Sequence, residues 1–392
     1  MNHGLKFPDI GATFEVERLR RDRNELIGEL TVRCLLPGAS VVNGILSTGD
    51  FNFSSVRARQ DRAKLLAVRA HTNGDVDWFA MLEEFCQGVF VRERTGDPSC
   101  DIWSLPLPEK VDDFAVDGIA LPRKHPAILF GDGGSAKSYV ALYIAGRLAL
   151  QDVPVALFDW ELSGEEHRDR FERLFGAKRP KLTYCRCESP LVSEIDRLAR
   201  VVWENGIQYA FFDSISFACD GRPEEAEIAA RYFRAVRTLN IGTLHIAHVN
   251  KSEEHDRKPF GSSWWHNGAR CTWYVKAAEP AGDTMDLGFF HRKSNLGALR
   301  HPISLSIQFL RNETIIRRGK VGDTPEFVDK MSVRQRMVEL LGRGAMTIAE
   351  IAAELEVKVD TIKKTSVRGT TFVEISNAMD GEKRIGLRAR AV

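Results

Sequence analysis

A glycine-rich loop followed by a lysine and a serine is the part of the sequence whose chemistry is easiest to infer. The loop, Gly131-Asp-Gly-Gly-Ser-Ala-Lys137-Ser138, follows an apolar run at residues 127–130 and precedes an apolar segment at 139–150. This order of strand, loop and helix is typical of phosphate-binding loops, because backbone N–H groups and the helix N-terminus attract phosphate oxygens. We therefore predict that the loop binds ATP, with Lys137 on the β- and γ-phosphates and Ser138 on Mg²⁺. The alternative is an ordinary glycine-rich turn.

One position of this loop departs from the pattern G-x-x-x-x-G-K-S/T. The residues predicted to bind the nucleotide are Gly131, Asp132, Gly133, Gly134, Ser135, Ala136, Lys137, Ser138 and Tyr139. Ala136 stands where the pattern has its second glycine. If the backbone there is left-handed, alanine costs about 1–2 kcal/mol; if it is already helical, alanine is harmless.

Acidic residues and a histidine follow three further apolar runs. Asp213 ends one run, Asp159 and Glu161 follow another, and His248 ends a third. Because ligands bind at the carboxyl ends of parallel strands, we expect these residues near the loop. Asp213 is predicted to support Mg²⁺, Glu161 to activate the attacking water and His248 or Asn250 to hydrogen-bond the γ-phosphate. The alternatives are a solvated strand-end acid, a helix-start acid with Asp159 in the role of Glu161, and a buried core histidine.

The spacing of apolar residues predicts the elements that must position these side chains. From about residue 121, apolar runs of strand length alternate with helical segments. The runs lie at residues 127–130, 155–158, 209–212, 243–247, 273–275 and 287–290. Such alternation indicates βαβ units, so we predict an α/β fold with a mainly parallel sheet.

Two further regions flank this α/β core. Residues 1–114 combine a predicted hairpin around a charged turn with two predicted helices, which indicates an α+β module. Its role stays open between oligomerisation, DNA binding and contact with a partner protein. Residues 331–392 have helical spacing and then alternating strand-like residues. We therefore predict three domains, at residues 1–114, 115–322 and 331–392.

The C-terminal region resembles a winged helix-turn-helix. A helix at 332–341 is followed by the capping box Thr347-Ile-Ala-Glu350, which begins a second helix. The third helix, at 359–367, carries the candidate DNA-binding residues Lys363 and Lys364, and strands at 370–375 and 384–387 form the wing. Glu356 stands where such turns often have glycine. The resemblance implies DNA binding, with a protein partner as the alternative.

The order of motifs over residues 115–315 resembles that of RecA-like P-loop ATPases, especially the RepA-type hexameric replicative helicases. The resemblance implies ATP and Mg²⁺ held by Lys137, Ser138 and Asp213 between the subunits of a ring, with Glu161 activating water. It also implies that a cation from the neighbouring subunit completes the site. The candidates for this cation are Arg270, Arg292 and Lys293, with ordinary surface positions as the alternative.

The same resemblance implies that the segment after His248 faces single-stranded DNA in the central channel. The candidate DNA-binding residues of this segment are Lys251, Arg257, Lys258, Trp264 and Trp265. The cations would neutralise phosphates and the indoles would stack on bases. The alternative for the two tryptophans is burial in the core or at a subunit interface.

Composition excludes several classes of protein. The chain has 392 residues and a formal net charge of +1, so it is not a strongly basic protein and any DNA surface must be local. The seven cysteines favour reduced thiols and a cytoplasmic location. The sequence shows no signal-peptide pattern, and the apolar segment at 139–150 is too short to span a bilayer, so we expect no membrane partner.

These features together predict an ATP-hydrolysing homo-oligomeric ring, a hexamer, that acts on DNA. Helicase or translocase activity in replication, or in maintenance of a mobile element, would follow. The alternative is an ATP-gated DNA-binding switch, such as a loader, initiator or regulator, that hydrolyses slowly and does not unwind. A recombinase-like filament is a third possibility.

Overall fold

The computed structural model describes residues 3–72, 74–95, 99–107, 113–249, 259, 261–295, 297–376 and 382–388. These residues form two compact units. One unit comprises the described part of 1–111 together with 195–200, and the other comprises the described part of 112–194 and 201–392.

The N-terminal unit is built on a four-stranded antiparallel sheet in the order β1-β2-β3-β4. Its elements are β1 (His3–Phe7), β2 (Ala12–Asp22), β3 (Glu25–Cys34), β4 (Ile45–Asn52), α1 (Val56–Ala70) and α2 (Trp78–Thr95). Buried and partly exposed residues alternate along β2 and β3, which is typical of a sheet with one face on a core. Phe14 and Leu30 on this face pack with Leu66 and Phe85 of the helices. The predicted hairpin and both predicted helices are confirmed.

The second unit contains a sheet of nine described strands. After the short pair β5 (Phe114–Val116) and β6 (Ile119–Leu121), its elements are β7 (Pro126–Gly131), α3 (Lys137–Ala149), β8 (Val155–Asp159), α4 (Gly164–Phe175), β9 (Leu182–Arg186), α5 (Leu191–Glu204, whose residues 195–200 belong to the first unit), β10 (Tyr209–Asp213), α6 (Ile215–Ala218), α7 (Ala226–Thr238), β11 (Gly242–His248), α8 (Ser263–Gly268), β12 (Cys271–Ala277), β13 (Thr284–Ser294), β14 (Ile303–Phe309) and β15 (Thr314–Gly319). The strand order is β15-β14-β13-β12-β7-β11-β10-β8-β9. Neighbours from β12 to β9 run parallel, and β13, β14 and β15 continue antiparallel. The predicted mainly parallel sheet is confirmed.

Continuous apolar runs explain why this sheet forms. Every residue of β7, β8 and β10 is buried, as expected for parallel strands that are covered on both faces. The register then brings the strand ends together, because Asp213 pairs with Asp159 and His248 pairs with Gly131. The four candidate strand ends therefore lie at one edge of the sheet.

The C-terminal region has a small hydrophobic cluster of its own. Its elements are α9 (Pro325–Val328), α10 (Val333–Leu341), β16 (Met346–Thr347), α11 (Ile348–Glu354), α12 (Val359–Ser366), β17 (Phe372–Ser376) and β18 (Lys383–Leu387). The cluster includes Met337, Ile351, Ile362 and Phe372. The predicted capping box is confirmed, since the Thr347 hydroxyl accepts from the amide of Glu350 at 3.2 Å.

The turn before α12 contains a strained backbone position. Glu356 has φ 52°, a left-handed conformation that favours glycine. This is the position at which the sequence pattern led us to expect glycine. Whether this region is a winged helix, and whether the chain has three domains, stay predictions.

Across the part of the chain that the structure describes, no helix combines the length and the apolar character that a membrane span requires.

Candidate nucleotide-binding site

The glycine-rich loop joins β7 to α3 and folds around its own lysine. The Lys137 ammonium donates to the carbonyl oxygens of Asp132 at 2.6 Å and Gly131 at 3.1 Å. The Ser135 hydroxyl also donates to the Asp132 carbonyl, at 2.7 Å. The loop thus holds its shape through contacts of its own residues, and the ammonium lies where an incoming phosphate would compete for it.

Burial changes the protonation equilibrium of this lysine. It lowers the pKa of Lys137 to about 8, against the opposing effect of Asp213, Asp132 and Glu161. The ammonium form still predominates at neutral pH, so the side chain can offer a positive charge to phosphate oxygens.

Two backbone positions define the shape of the loop. A Cβ atom at Gly131 would lie 2.4 Å from the carbonyl oxygen of Val275, so only glycine fits there. Ala136 has φ 50° and ψ 24°, a left-handed conformation at the N-cap of α3. Of the two possibilities that the sequence left open, the strained one therefore applies, at about 1–2 kcal/mol.

We expect Ala136→Gly to raise the free energy of unfolding by about 1 kcal/mol. Glycine removes the strain, which raises stability. It also gives the unfolded chain more conformational entropy, which lowers stability by about 0.4–1 kcal/mol. Urea titration followed by circular dichroism measures the change. Ala149→Gly is the matched control, because it lies in α3 with a negative φ and should lower stability by about 1 kcal/mol. A loss of stability in Ala136→Gly would contradict the strain.

Asp213 lies at the end of β10 with its side chain buried. Burial raises the pKa of this carboxyl to about 6; a hydrogen bond from the Ser138 hydroxyl opposes the rise, and Glu161 adds to it. Its Oδ1 atom has no hydrogen-bond partner among the described residues. A buried carboxylate oxygen without a partner, beside a serine hydroxyl, is an arrangement that a small cation would satisfy.

The residues present fit Mg²⁺. This ion prefers oxygen ligands, keeps several waters and is held by one or two protein groups together with substrate phosphates. Asp213 and Ser138 supply a carboxylate and a hydroxyl, and no cluster of three or more metal-binding side chains occurs in the described ranges. These two residues would hold the ion in the manner expected for an ATP·Mg²⁺ site.

Glu161 is exposed at the turn between β8 and α4. Its charge acts on Lys137, Asp213 and His248, since it contributes to the pKa of each of them. The structure therefore brings Lys137, which follows the loop, close to Glu161, Asp213 and His248, which lie at the ends of three separate strands. Asp159 differs from Glu161, because it is fully buried and its oxygens are occupied by neighbouring donors.

The two histidines of β11 occupy different environments. His245 is the core histidine: its Nδ1 lies 2.9 Å from the Tyr232 hydroxyl, its Nε2 lies 2.8 Å from the Thr243 hydroxyl, and burial lowers its pKa to about 3. His248 is half-buried beside Gly131, and burial together with Lys137 lowers its pKa. His248 is thus a neutral hydrogen-bonding group at the loop; its contact with a γ-phosphate stays a prediction. Asn250, the other candidate for this contact, lies outside the described residues.

Two of the three candidate cations, Arg270 and Lys293, lie at the opposite edge of the sheet. Arg270 directly precedes β12, which begins beside Ala127, and Lys293 pairs with Thr272. The Lys293 ammonium donates to the carbonyls of His266, Asn267 and Ala269 at 2.7–3.0 Å. Lys293 therefore stabilises the end of α8.

Arg292 has aromatic neighbours. Its guanidinium lies 5.1 Å from the centroid of the Phe290 ring and 5.5 Å from that of Tyr274. The roles of Arg270, Arg292 and Lys293 toward a second subunit stay predictions.

The candidate DNA-binding residues are of three kinds: those outside the described residues, those that are exposed, and one that is buried. Lys251, Arg257 and Lys258 lie outside the described residues. Trp264 is 52% exposed, and Lys363 and Lys364 are exposed on α12.

Trp265 requires a correction. It is only 1% exposed, its indole N–H donates to the Pro223 carbonyl at 2.7 Å, and its ring packs on Tyr232 and Phe233. Trp265 belongs to the core, where bases cannot stack on it.

Several residues around the site were not predicted from the sequence. They are His167, Tyr184 and Arg186, which surround Asp159, and Tyr232 and His245 in the core beside β11. A buried strand-end carboxylate needs donors, but the sequence does not show which distant side chains supply them.

No protein-family model and no curated protein matches the chain. Similar solved structures include the flagellar accessory protein FlaH from Methanocaldococcus jannaschii, with 14% identity over 51% of this chain and 92% of that chain and a TM-score of 0.39. The KaiC-like protein PH0186 from Pyrococcus horikoshii OT3 has 13% identity over 50% of this chain and 91% of that chain, with a TM-score of 0.40. The ATPase domain of a further protein has 11% identity over 48% of this chain and 82% of that chain, also with a TM-score of 0.40. This chain itself is a mixed α/β protein whose large, mostly parallel sheet carries a glycine-rich loop between β7 and α3.

Proposed function

We propose that the chain is a RecA-like P-loop ATPase that hydrolyses ATP with Mg²⁺. The observation that carries this proposal is the meeting of Lys137, Ser138, Asp213 and Glu161 at one edge of the sheet. They supply the cation, the two oxygen groups and the exposed carboxylate that phosphoryl transfer to water uses.

Each of these residues has a task in hydrolysis. Lys137 turns from the loop carbonyls to the transferring phosphate and balances its charge. Ser138 and Asp213 would hold Mg²⁺, which would neutralise phosphate charge when bound. Glu161 orients a water molecule and accepts its proton as the water attacks. His248, neutral and beside the loop, donates a hydrogen bond to the γ-phosphate.

We further propose that hydrolysis is coupled to DNA in a homo-oligomeric ring, a hexamer of the RepA-type helicase branch. Trp264 offers an exposed indole at the start of α8, and Lys251, Arg257 and Lys258 precede it along the chain. The helices α10, α11 and α12, with the sheet β16-β18-β17, are consistent with a winged helix that presents Lys363 and Lys364. In this proposal the protein acts in the cytoplasm, and the N-terminal unit serves in oligomerisation, DNA binding or contact with a protein partner.

One observation favours an ATP-gated DNA-binding switch as a second candidate. Ala136 holds the loop in a left-handed conformation at a cost of about 1–2 kcal/mol. This departure from the glycine of the pattern affects the rate of hydrolysis more than the capacity to bind nucleotide. A loader, initiator or regulator that hydrolyses slowly would tolerate it.

We expect the wild-type chain to hydrolyse ATP and single-stranded DNA to stimulate it, with both effects lost in Lys137→Ala. Steady-state phosphate release, with and without oligonucleotide, measures this. Mass measurement with an ATP analogue and oligonucleotide gives the assembly. Wild-type turnover no higher than that of Lys137→Ala under all conditions would exclude the ATPase, whereas slow hydrolysis without stimulation would favour the switch.

A further inference from the structure

Asp159, at the end of β8, is surrounded by hydrogen-bond donors. Its Oδ1 accepts from the backbone amides of Glu161 at 2.9 Å and Leu162 at 3.0 Å. Its Oδ2 accepts from the Tyr184 hydroxyl at 2.9 Å and from Arg186 at 3.3 Å. Asp159 is 0% exposed, so its carboxylate is shielded from bulk solvent and depends on these protein donors for its hydrogen bonds.

This carboxylate determines how the chain turns as it leaves the sheet. One oxygen joins two successive amides, so the backbone of Glu161 and Leu162 curls back onto the end of β8. Trp160, between Asp159 and Glu161, is held as well, because its amide donates to the Asp213 carbonyl at 2.7 Å and its indole donates to the Ser189 carbonyl at 2.8 Å. Hydrogen bonds therefore fix the backbone on both sides of Glu161.

Tyr184 and Arg186 hold the carboxylate itself. Both lie on β9, the strand that pairs with β8, and they occupy the oxygen that the turn leaves free. His167 of α4 adds an Nε2 atom 3.4 Å from Oδ1. Asp159 therefore connects a rigid strand and a helix to the turn that carries Glu161.

The protonation state of Asp159 separates it from a general base. Burial acts to raise its pKa, but the nearby His167 ring and the hydrogen bonds from the amides of Leu162 and Glu161 outweigh burial and hold the pKa at about 2. The group is ionised throughout the physiological range and its lone pairs are occupied. It therefore has no free basic site to offer to a water molecule.

We propose that Asp159 is a positioning residue for ATP hydrolysis, which acts through the backbone of Glu161 and touches neither water nor nucleotide. The inference rests on the proposed ATPase function. It assigns the two acids of the sequence Asp159-Trp-Glu161 to separate tasks, with the buried acid orienting the exposed one. Turnover should respond to Asp159, whereas nucleotide binding at Lys137 should not.

The test uses Asp159→Asn in the full-length chain. Asparagine keeps an oxygen for the two amides but places an NH₂ group against Tyr184 and Arg186, so the side chain shifts. A displacement of about 1 Å can cost about 10²-fold in rate, so we expect kcat to fall about 10–100-fold. KM and the affinity for a fluorescent ATP analogue should stay unchanged. Asp169→Asn, at an exposed acid of α4, is the matched control and should behave as wild type.

A second arm separates positioning from loss of folding. In the Glu161→Gln background, Asp159→Asn should add no further loss of turnover, because residues that act as a unit are not additive. Losses that multiply, a fall in analogue affinity, or wild-type turnover in Asp159→Asn would each overturn the inference.

A third arm covers the case in which Asp159→Asn does not fold. Tyr184→Phe removes one donor and keeps the carboxylate, so kcat should fall severalfold at constant KM; unchanged kcat would overturn the inference. Wild-type turnover measured against Lys137→Ala shows separately whether the proposed function itself fails.

Discussion

Glu161→Gln should lower ATP turnover about 10²–10⁴-fold, the usual contribution of a group that accepts a proton in the transition state. The amide keeps the size of the side chain but cannot accept the proton of the attacking water. Because Glu161 is exposed and its backbone is held by Asp159, the substitution should leave the fold unchanged. Lys137, Ser138 and Asp213 are unaltered, so the nucleotide should still bind.

Single-turnover phosphate release and titration with a fluorescent ATP analogue measure the two effects separately. Glu165→Gln is the matched control, because Glu165 is an exposed acid in the first turn of α4, four residues away. The control should turn over as wild type. If Glu161→Gln kept full turnover, the general base would have to be another residue, and the task we assign to Asp159 would fall with it.

Trp265→Ala should lower the free energy of unfolding by about 3–5 kcal/mol, as expected when a large buried aromatic side chain is truncated. The indole is 1% exposed and its ring centroid lies 5.2 Å from that of Tyr232 and 5.7 Å from that of Phe233. The substitution also removes the hydrogen bond from the indole N–H to the Pro223 carbonyl, which keeps only the amide of Ser262 as a donor. Both losses act in the same direction.

The neighbouring tryptophan provides the control. Trp264 is 52% exposed, so Trp264→Ala should change stability by no more than about 0.5 kcal/mol. Urea unfolding followed by far-ultraviolet circular dichroism compares the two variants. Equal losses would contradict the separate environments that the structure gives to these adjacent residues.

The parts of the fold that followed from the sequence are those with a strong local signal. Fully buried parallel strands need continuous apolar runs, so β7, β8 and β10 were predictable, and their carboxyl ends identified Asp213 and Glu161. The capping box at Thr347 was predictable because its hydrogen bonds join residues three apart.

The remaining features depend on contacts between distant residues. Only the backbone angles show that Ala136 is left-handed. Asp159 and Glu161 look alike in the sequence, and the distinction arises from Tyr184 and Arg186 on another strand. In the same way, Trp265 is buried because α7 supplies aromatic neighbours, which its own segment does not reveal.

Arg270 lies at the edge of the sheet opposite the glycine-rich loop, and this separation has a genetic consequence. β12 begins beside Ala127, and Ala127 is separated from Gly131 by about 13 Å of strand. A chain with a defective loop and a chain without Arg270 are therefore damaged at separate places. In the ring proposed above, where a cation of one subunit would meet the nucleotide of its neighbour, two such inactive chains would complement each other when mixed. Either one, produced in excess beside the wild type, would act as a dominant negative.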